Sequence, residues 1–270
     1  MAAALATTLR QKSGGACIAS SIIAERIALI CASPLFTGLP QLACEKLAYQ
    51  ARPKALARNE LLFMQGGAAR KVALIRSGSV KITQLAANGN EVILWVYGVR
   101  NIAGMISEPT TYCYTYSARA LEKSTVLVWE YAIIQDLMSD YPEIRKNASN
   151  ILAARLNELE ERFREVATEK IAKRMSSALI RLQTEIGKKA HGGTQVSLLR
   201  EELAQLTGTT LFTVSRILSQ WGKLGFVMPR REGVLVRDSN RLQLAGEEDL
   251  GRNPLFVKAQ KRCLCWPKAI

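Results

Sequence analysis

Residues 208–218 read GTTLFTVSRIL. Thr209, Thr210 and Ser215 carry hydroxyls that both donate and accept, and Arg216 carries a planar five-donor guanidinium. At helical spacing Val214, Ile217 and Leu218 share one face, which leaves Leu211, Phe212, Ser215, Arg216 and Ser219 on the other. Gly208 stands just before the helix, where a bend with positive φ is easiest without a Cβ. A guanidinium on an exposed helix face matches the O6 and N7 acceptors of guanine, a pairing worth about 1–3 kcal/mol of base discrimination. Threonine hydroxyls and free amides at a helix start suit a phosphate, and Ser215 can contact phosphate as well. Such contacts position a protein on a duplex without reading its sequence.

Chemistry of this kind needs a second helix to hold the first. The window REELAQLTGTTLFTVSRILS supplies one: Leu203 and Leu206 form an inner face, and Ala204 is small where two helices must cross closely. The spacing is that of a helix-turn-helix with an exposed second helix. The following GFVMPRREGVLVRD reads as a hairpin turning near Arg231-Glu232-Gly233, with Arg230 and Arg231 at its tip. A short strand, TQVSL, precedes the pair. A plain helical hairpin with a solvated arginine would share the core of this pattern. The basic hairpin and the helix upstream favour the nucleic-acid reading.

That upstream helix begins at Tyr141-Pro142 and runs through EIRKNASNILAARLNELEERFREVATEKIAKRM. Leu152, Leu156, Leu159, Phe163 and Val166 step by four, three, four and three residues, a heptad stripe. Such a stripe either packs within one chain or pairs with a second copy. On a helix joining two dissimilar regions it predicts a two-fold coiled coil. A second helix is expected from about Glu169 to Ile186.

Between Lys54 and Glu130 the texture is different. Short apolar runs (LLFMQ, VALIRSG, VKITQLA, EVILWVYG, SARALE, TVLVWE) are separated by glycine turns, and Asn88-Gly89 between two of them is a hairpin signal. Many short strands with regular turns predict an antiparallel sandwich or jelly roll. SPLFTGLPQLACEKLA before them has the spacing of one or two short helices, and the alanine-rich first thirty residues read as a loosely ordered extension. The expected fold class is α+β. Its parts are an extension (1–30), an antiparallel β domain (31–140), a dimerisation helix (141–167), a helix-turn-helix with a basic hairpin (168–245) and a tail (246–270).

The chain carries 37 Lys+Arg against 23 Asp+Glu, a net charge of +14. Between Thr168 and Arg241 there are 13 basic and 6 acidic residues, so +7 falls in that segment. This concentration favours a polyanionic partner. No apolar run approaches the roughly 18 residues of a membrane span; CIASSIIAERIALICA is interrupted by Glu25 and Arg26, which also weakens a signal-peptide reading. Six cysteines at 17, 31, 44, 113, 263 and 265 show no zinc-finger spacing, a pattern of reduced cytoplasmic thiols. No metal site is expected. There is no glycine-rich phosphate loop and only one histidine, so an enzyme has little support.

With these residues in place, the order from about Ser33 to Ala245 resembles the cyclic AMP receptor protein/FNR family of bacterial transcription regulators. The resemblance rests on SPLFTGLP, FMQGG, SGSVKITQLAANGNEVIL, the long helix and LLREELAQLTGTTLFTVSRILSQWGKLGFV, the last being the most specific. It implies a cyclic-nucleotide-binding-like jelly roll, a dimerisation helix and a winged helix-turn-helix. It also implies a homodimer on an inverted repeat of double-stranded DNA, with RNA polymerase as a further candidate partner. An effector in the first domain would reset the two recognition helices.

The departures are chemical. Relatives that bind cyclic AMP carry Gly-Glu for the ribose and Arg-Ser/Thr for the phosphate; the aligned pairs here are Gly104-Met105 and Tyr114-Thr115, with Arg119 past the phosphate contact. A methionine does not accept a ribose hydroxyl bond as a carboxylate does, and a tyrosine does not neutralise a phosphate. Cyclic AMP is therefore not the expected effector, and no other cofactor is predicted. The spread of Cys17, Cys31 and Cys44 does not suit a compact iron–sulfur motif. His191, outside the sensor region, does not suit a haem ligand and reads as a hinge residue; Cys263 and Cys265 read as an incidental tail pair. Many relatives carry a glutamate four residues before the reading arginine. Here Phe212 stands there, which can touch a thymine methyl but accepts nothing from cytosine. The competing reading is a ligand-binding regulatory or scaffold protein that holds DNA without sequence preference.

Overall fold

The computed structural model describes residues 20–106 and 113–247. Helix α1 covers residues 20–31 and is followed by a 3-10 turn, Pro34–Phe36, and helix α2, Gln41–Gln50. Eight strands follow: β1 (Arg52–Leu56), β2 (Leu61–Phe63), β3 (Lys71–Ser77), β4 (Val80–Leu85), β5 (Glu91–Tyr97), β6 (Ile102–Gly104), β7 (Ser117–Ala120) and β8 (Ser124–Glu130). They form two antiparallel sheets, ordered β1-β8-β3-β6 and β2-β7-β4-β5. The chain turns between β4 and β5 at the expected place: Asn88 Oδ1 accepts from Asn90 N at 3.1 Å, and Gly89 takes φ +82°.

Strands β3 and β8 explain why alternation is blurred in VALIRSG and TVLVWE. Ala73, Ile75, Val126 and Val128 enter the core between the two sheets. Val72, Leu74, Leu127 and Trp129 enter a second core, with Leu35, Phe36, Leu47, Ile134 and Ile144 from the surrounding helices. A strand covered on both faces has no polar side to show. The first thirty residues depart from the expected loose extension in their described part. Ile30 is fully buried, Arg26 donates to the carbonyls of Ala48 and Ala51, and Glu25 pairs with Arg76 at 2.6 Å. Residues 1–19 and the tail beyond residue 247, including Cys17, Cys263 and Cys265, lie outside the described residues.

Helix α3 (Tyr131–Asp140) leads to α4 (Pro142–Thr168), with Pro142 in the first turn, where its missing N–H costs nothing. The 27 residues of α4 span about 40 Å at roughly 1.5 Å per residue. Helix α5 (Ile171–Ile186), strands β9 (Lys188–Ala190) and β10 (Gly193–Val196), helices α6 (Arg200–Thr207) and α7 (Leu211–Lys223), strands β11 (Val227–Arg230) and β12 (Gly233–Val236), and helix α8 (Ser239–Glu247) complete the C-terminal unit. Its small antiparallel sheet is ordered β11-β12-β10-β9. His191 stands in the exposed β9–β10 turn. The joint between α4 and α5 is made by Glu169 and Lys170, away from the histidine.

The C-terminal unit does not stand apart from the sheets. Ile93 and Val96 of β5, with Leu121, belong to the same buried cluster as Leu179, Leu203, Val214 and Trp221. Lys81 of β4 and Glu202 of α6 form an ion pair at 3.3 Å, with only 8% and 5% of the two side chains exposed. Arg162 of α4 donates to the carbonyls of Ile93 and Leu94 on one side and of Leu206 on the other.

Candidate nucleic-acid interface

The interface is built upward from α6. Glu202, in its first turn, accepts from the backbone N–H of Leu199 at 2.8 Å and so caps the helix start. The helix ends at Thr207, where Gly208 takes φ +62°, ψ +47°, the left-handed conformation predicted for it. Thr209 N–H bonds back to Ala204 O at 3.1 Å. Thr210 then caps α7, its Oγ1 accepting from Thr213 N–H at 3.2 Å. Arg174, almost fully buried, donates to Gly208 O and to Val166 O, and so ties the turn to the end of α4.

Val214, Ile217, Leu218 and Trp221 bury one face of α7. On the opposite face Leu211, Phe212, Arg216 and Ser219 are exposed and Ser215 is half-buried. Phe212 is 77% exposed, on the same stripe as Arg216 and Ser219. Arg230 and Arg231 sit exposed at the β11–β12 turn, and Pro229 packs against Gly222 of α7 beside them. Thr209, Thr210, Leu211, Phe212, Ser215, Arg216 and Ser219 therefore belong to one face and its leading edge, with the two arginines on the adjoining wing.

The heptad stripe is equally plain on α4. Leu152, Leu156, Phe163 and Val166 are exposed, Phe163 to 76%, and Leu159 is half-buried. Among the described residues of α4, only Ile144, Ala148 and Glu165 are buried.

The four residues aligned with a nucleotide pocket are arranged differently. Tyr114 is buried; its ring stacks on Phe63 with centroids 4.0 Å apart. Its hydroxyl donates to Lys71 O at 3.1 Å and accepts from Lys71 N–H at 3.0 Å. Burial pushes this phenol above the ordinary tyrosine range, and the bond from Lys71 opposes that in part. Gly104 takes φ +104°, and a Cβ there would meet Lys71 O at 2.3 Å. Met105 packs against both N-terminal cores. Thr115 faces solvent. Gly104 and Tyr114 thus meet through Lys71, and Thr115 does not join them. None of the four side chains carries a charge for a cyclic phosphate.

A cavity of about 780 Å³ opens where β5, α4 and α5 meet, lined by Trp95, Tyr97, Arg155, Glu158, Arg162 and Arg181 among others. Arg155 lies 4.8 Å over the Tyr97 ring and donates to Ile102 O at 2.7 Å. Burial raises the Glu158 carboxyl and lowers Arg162. In the sequence Glu158 and Arg162 of α4 stand beside the heptad stripe as ordinary charges of a long helix, with no local sign of a cavity.

Two family models match the chain. Residues 53–141 match the cyclic nucleotide-binding domain, and residues 173–245 match the Crp-like helix-turn-helix domain; together they cover more than half of it. The chain belongs to the Crp/Fnr family of transcription regulators. It is 27% identical over 210 residues to the CRP-like cAMP-activated global transcriptional regulator of Mycobacterium tuberculosis, covering 77% of this chain and 94% of that one. It is 24% identical to the transcriptional activator protein anr of Pseudomonas aeruginosa, covering 72% and 81%. The c-di-GMP responsive global regulator CLP of Xanthomonas campestris has the same fold, with a TM-score of 0.64, 21% identity and coverage of 74% and 100%. This Crp/Fnr chain is accordingly a DNA-binding regulator with a sensory domain of the cyclic nucleotide-binding type. Among the described residues no helix is long and apolar enough to cross a membrane.

Proposed function

We propose that the protein binds DNA as a homodimer and selects an inverted repeat by laying α7 of each copy in the major groove. The observation that carries this reading is the free face of α7. A helix that buries four apolar residues leaves a phenylalanine, an arginine and a serine in line toward solvent. Arg216 reads a guanine edge and Phe212 touches a thymine methyl. Thr209, Thr210 and Ser215 hold phosphates at the helix start, and Arg230 and Arg231 hold the backbone from the wing. The stripe from Leu152 to Val166 joins two copies, which sets the recognition helices about 34 Å apart. RNA polymerase is the partner such a regulator contacts at a promoter.

The effector is something other than cyclic AMP. Met105 and the stacked Phe63–Tyr114 pair support this, although the mycobacterial relative is cAMP-activated by name. Regulation works by biasing two arrangements of α4 and α5 about Glu169 and Lys170.

The test compares Arg216→Ala with the natural chain in binding to a panel of duplexes at one salt concentration. The variant should lose preference at one position of each half-site while keeping its nonspecific affinity. Unchanged preference would remove Arg216 as a base reader, and a natural chain with equal affinity for every duplex would favour the nonspecific scaffold.

A further inference from the structure

Helix α4 carries a second line of residues beside its heptad stripe. Ile151, Arg155, Glu158 and Arg162 step by four, three and four residues, each one position before a stripe residue. One residue is about 100° of turn on a helix, so this line occupies the flank next to the stripe. All four line the cavity of about 780 Å³. Ala178, Arg181, Leu182 and Glu185 of α5 line it as well, with Trp95 and Tyr97 of β5. Gly104, Met105, Tyr114 and Thr115 are not among its lining residues.

The cavity combines an aromatic wall with an uncompensated cation. The Trp95 and Tyr97 rings lie 20° from parallel, their centroids 6.5 Å apart. Among the described residues nothing accepts from the buried indole Nε1 of Trp95. Such a donor costs free energy until an acceptor meets it. Arg181 is already occupied, holding both Glu165 oxygens at 2.8 and 3.1 Å. Glu185 accepts from Gly98 N–H at 3.0 Å and from the Asn101 amide. Arg155 and Arg162 then stand against Glu158 alone, one cation in excess. Both arginines donate to backbone carbonyls. Arg162 serves three of them, whereas Arg155 gives one of its five donors to Ile102 O at 2.7 Å.

We infer that this cavity binds an aromatic monocarboxylate, with the carboxylate on the free donors of Arg155 and the ring against Trp95. The volume suits a small ligand. One negative charge balances the one cation in excess, and a guanidinium fork matches a carboxylate. A planar apolar ring matches Trp95 and the Ala154, Ile180 and Leu206 side chains that also line the space. Glu169 and Lys170, the joint between α4 and α5, lie in sequence between the two helical walls. An occupant therefore holds both arms of the joint and biases their arrangement. This last step rests on the regulator reading; the binding chemistry does not.

The test titrates the full-length protein by calorimetry with benzoate, 1-naphthoate and indole-3-acetate, each beside its neutral amide. At least one acid should bind one per chain. Its amide should bind at least about tenfold more weakly, as expected when a charge-assisted hydrogen bond is lost. No binding of any acid below about 1 mM would overturn the site. Arg155→Gln should bring the acid down to its amide and leave the amide unchanged; equal weakening of both would make Arg155 structural only. A second variant keeps the bond to Ile102. Ala154→Leu fills space from α4 and should weaken acid and amide alike, and unchanged binding would put the ligand elsewhere. Tighter binding of 1-naphthyl phosphate than of every acid would overturn the carboxylate assignment. Amide hydrogen exchange over residues 163–171 should slow in the bound protein; unchanged exchange there with the acid bound would overturn its action on the joint. None of these readings involves DNA, so a chain that holds all duplexes equally would fail the regulator test and still bind the acid.

Discussion

Replacing Lys81 with methionine should loosen the C-terminal unit from the sensor sheets. Lys81 and Glu202 lie 121 residues apart in sequence and pair at 3.3 Å with both side chains nearly dry. Methionine keeps much of the lysine stem's volume but leaves the Glu202 carboxylate buried without its cation. Breaking a buried pair in this way costs about 3–5 kcal/mol. Glu202 retains one backbone donor, Leu199 N–H at 2.8 Å. The lower end, about 3 kcal/mol, is therefore expected. At roughly 1.4 kcal/mol per tenfold, that is on the order of a hundredfold rise in the opening of the β5–α6 contact. Amide hydrogen exchange over residues 91–97 and 200–207 reads this opening directly. A second change separates charge from packing. Glu202→Gln keeps an acceptor for Leu199 N–H and carries no charge, so the Lys81→Met/Glu202→Gln pair should recover most of the loss. Exchange in Lys81→Met within twofold of the natural protein would refute the reasoning, because leaving the buried carboxylate without its cation would then cost almost nothing. Equal exchange in the single and double variants would show that packing, not charge, is at stake.

Other expectations follow from the same geometry. Leu159→Asp puts a charge into the heptad stripe and should give monomers by sedimentation; a stable dimer would move the interface off α4. Removing Arg230 and Arg231 together should weaken binding to all duplexes alike and flatten the salt dependence by about 2 in logarithmic slope, whereas a change in preferred sequence would make the wing a base reader. Glu158 is held above the usual carboxylate range by burial. The proton it keeps in the folded state stabilises below its unfolded value of about 4.3, and that contribution is lost as pH rises through the raised folded value. Glu158→Gln should remove this fall in thermal-denaturation midpoint above about pH 4.3; an identical pH profile in the two proteins would count against the buried carboxyl.

Much of this arrangement was legible from local signals. Gly208 and Thr210 are the turn and cap that their residue types require, and Val214, Ile217 and Leu218 face inward as their spacing demands. Asn88-Gly89 and Arg231-Glu232-Gly233 both mark hairpins. The exposed stripe from Leu152 to Val166 keeps the period read from the sequence. What escaped depends on partners distant along the chain. Lys81 looks like an ordinary outward residue of a strand until α6 covers it. Helix α1 reads as an alanine-rich extension because its burial comes from Ala48, Ala51 and Arg76. The stack of Tyr114 on Phe63 requires β2 and the segment before β7 to face each other, which no local pattern announces. Helices α3 and α8 are short, 10 and 9 residues, too few turns for their apolar spacing to stand out in the sequence.

The most direct test of the central claim is selection from a random duplex pool by the purified full-length protein, at fixed near-physiological salt and without added nucleotide. The account predicts enrichment of a two-fold inverted repeat whose half-sites carry a guanine that Arg216→Ala no longer selects. A pool enriched only when cyclic AMP is present would contradict the reading of Met105 and Tyr114. A pool that stays random with and without cyclic AMP, from protein that holds all duplexes equally, would contradict sequence-specific recognition itself.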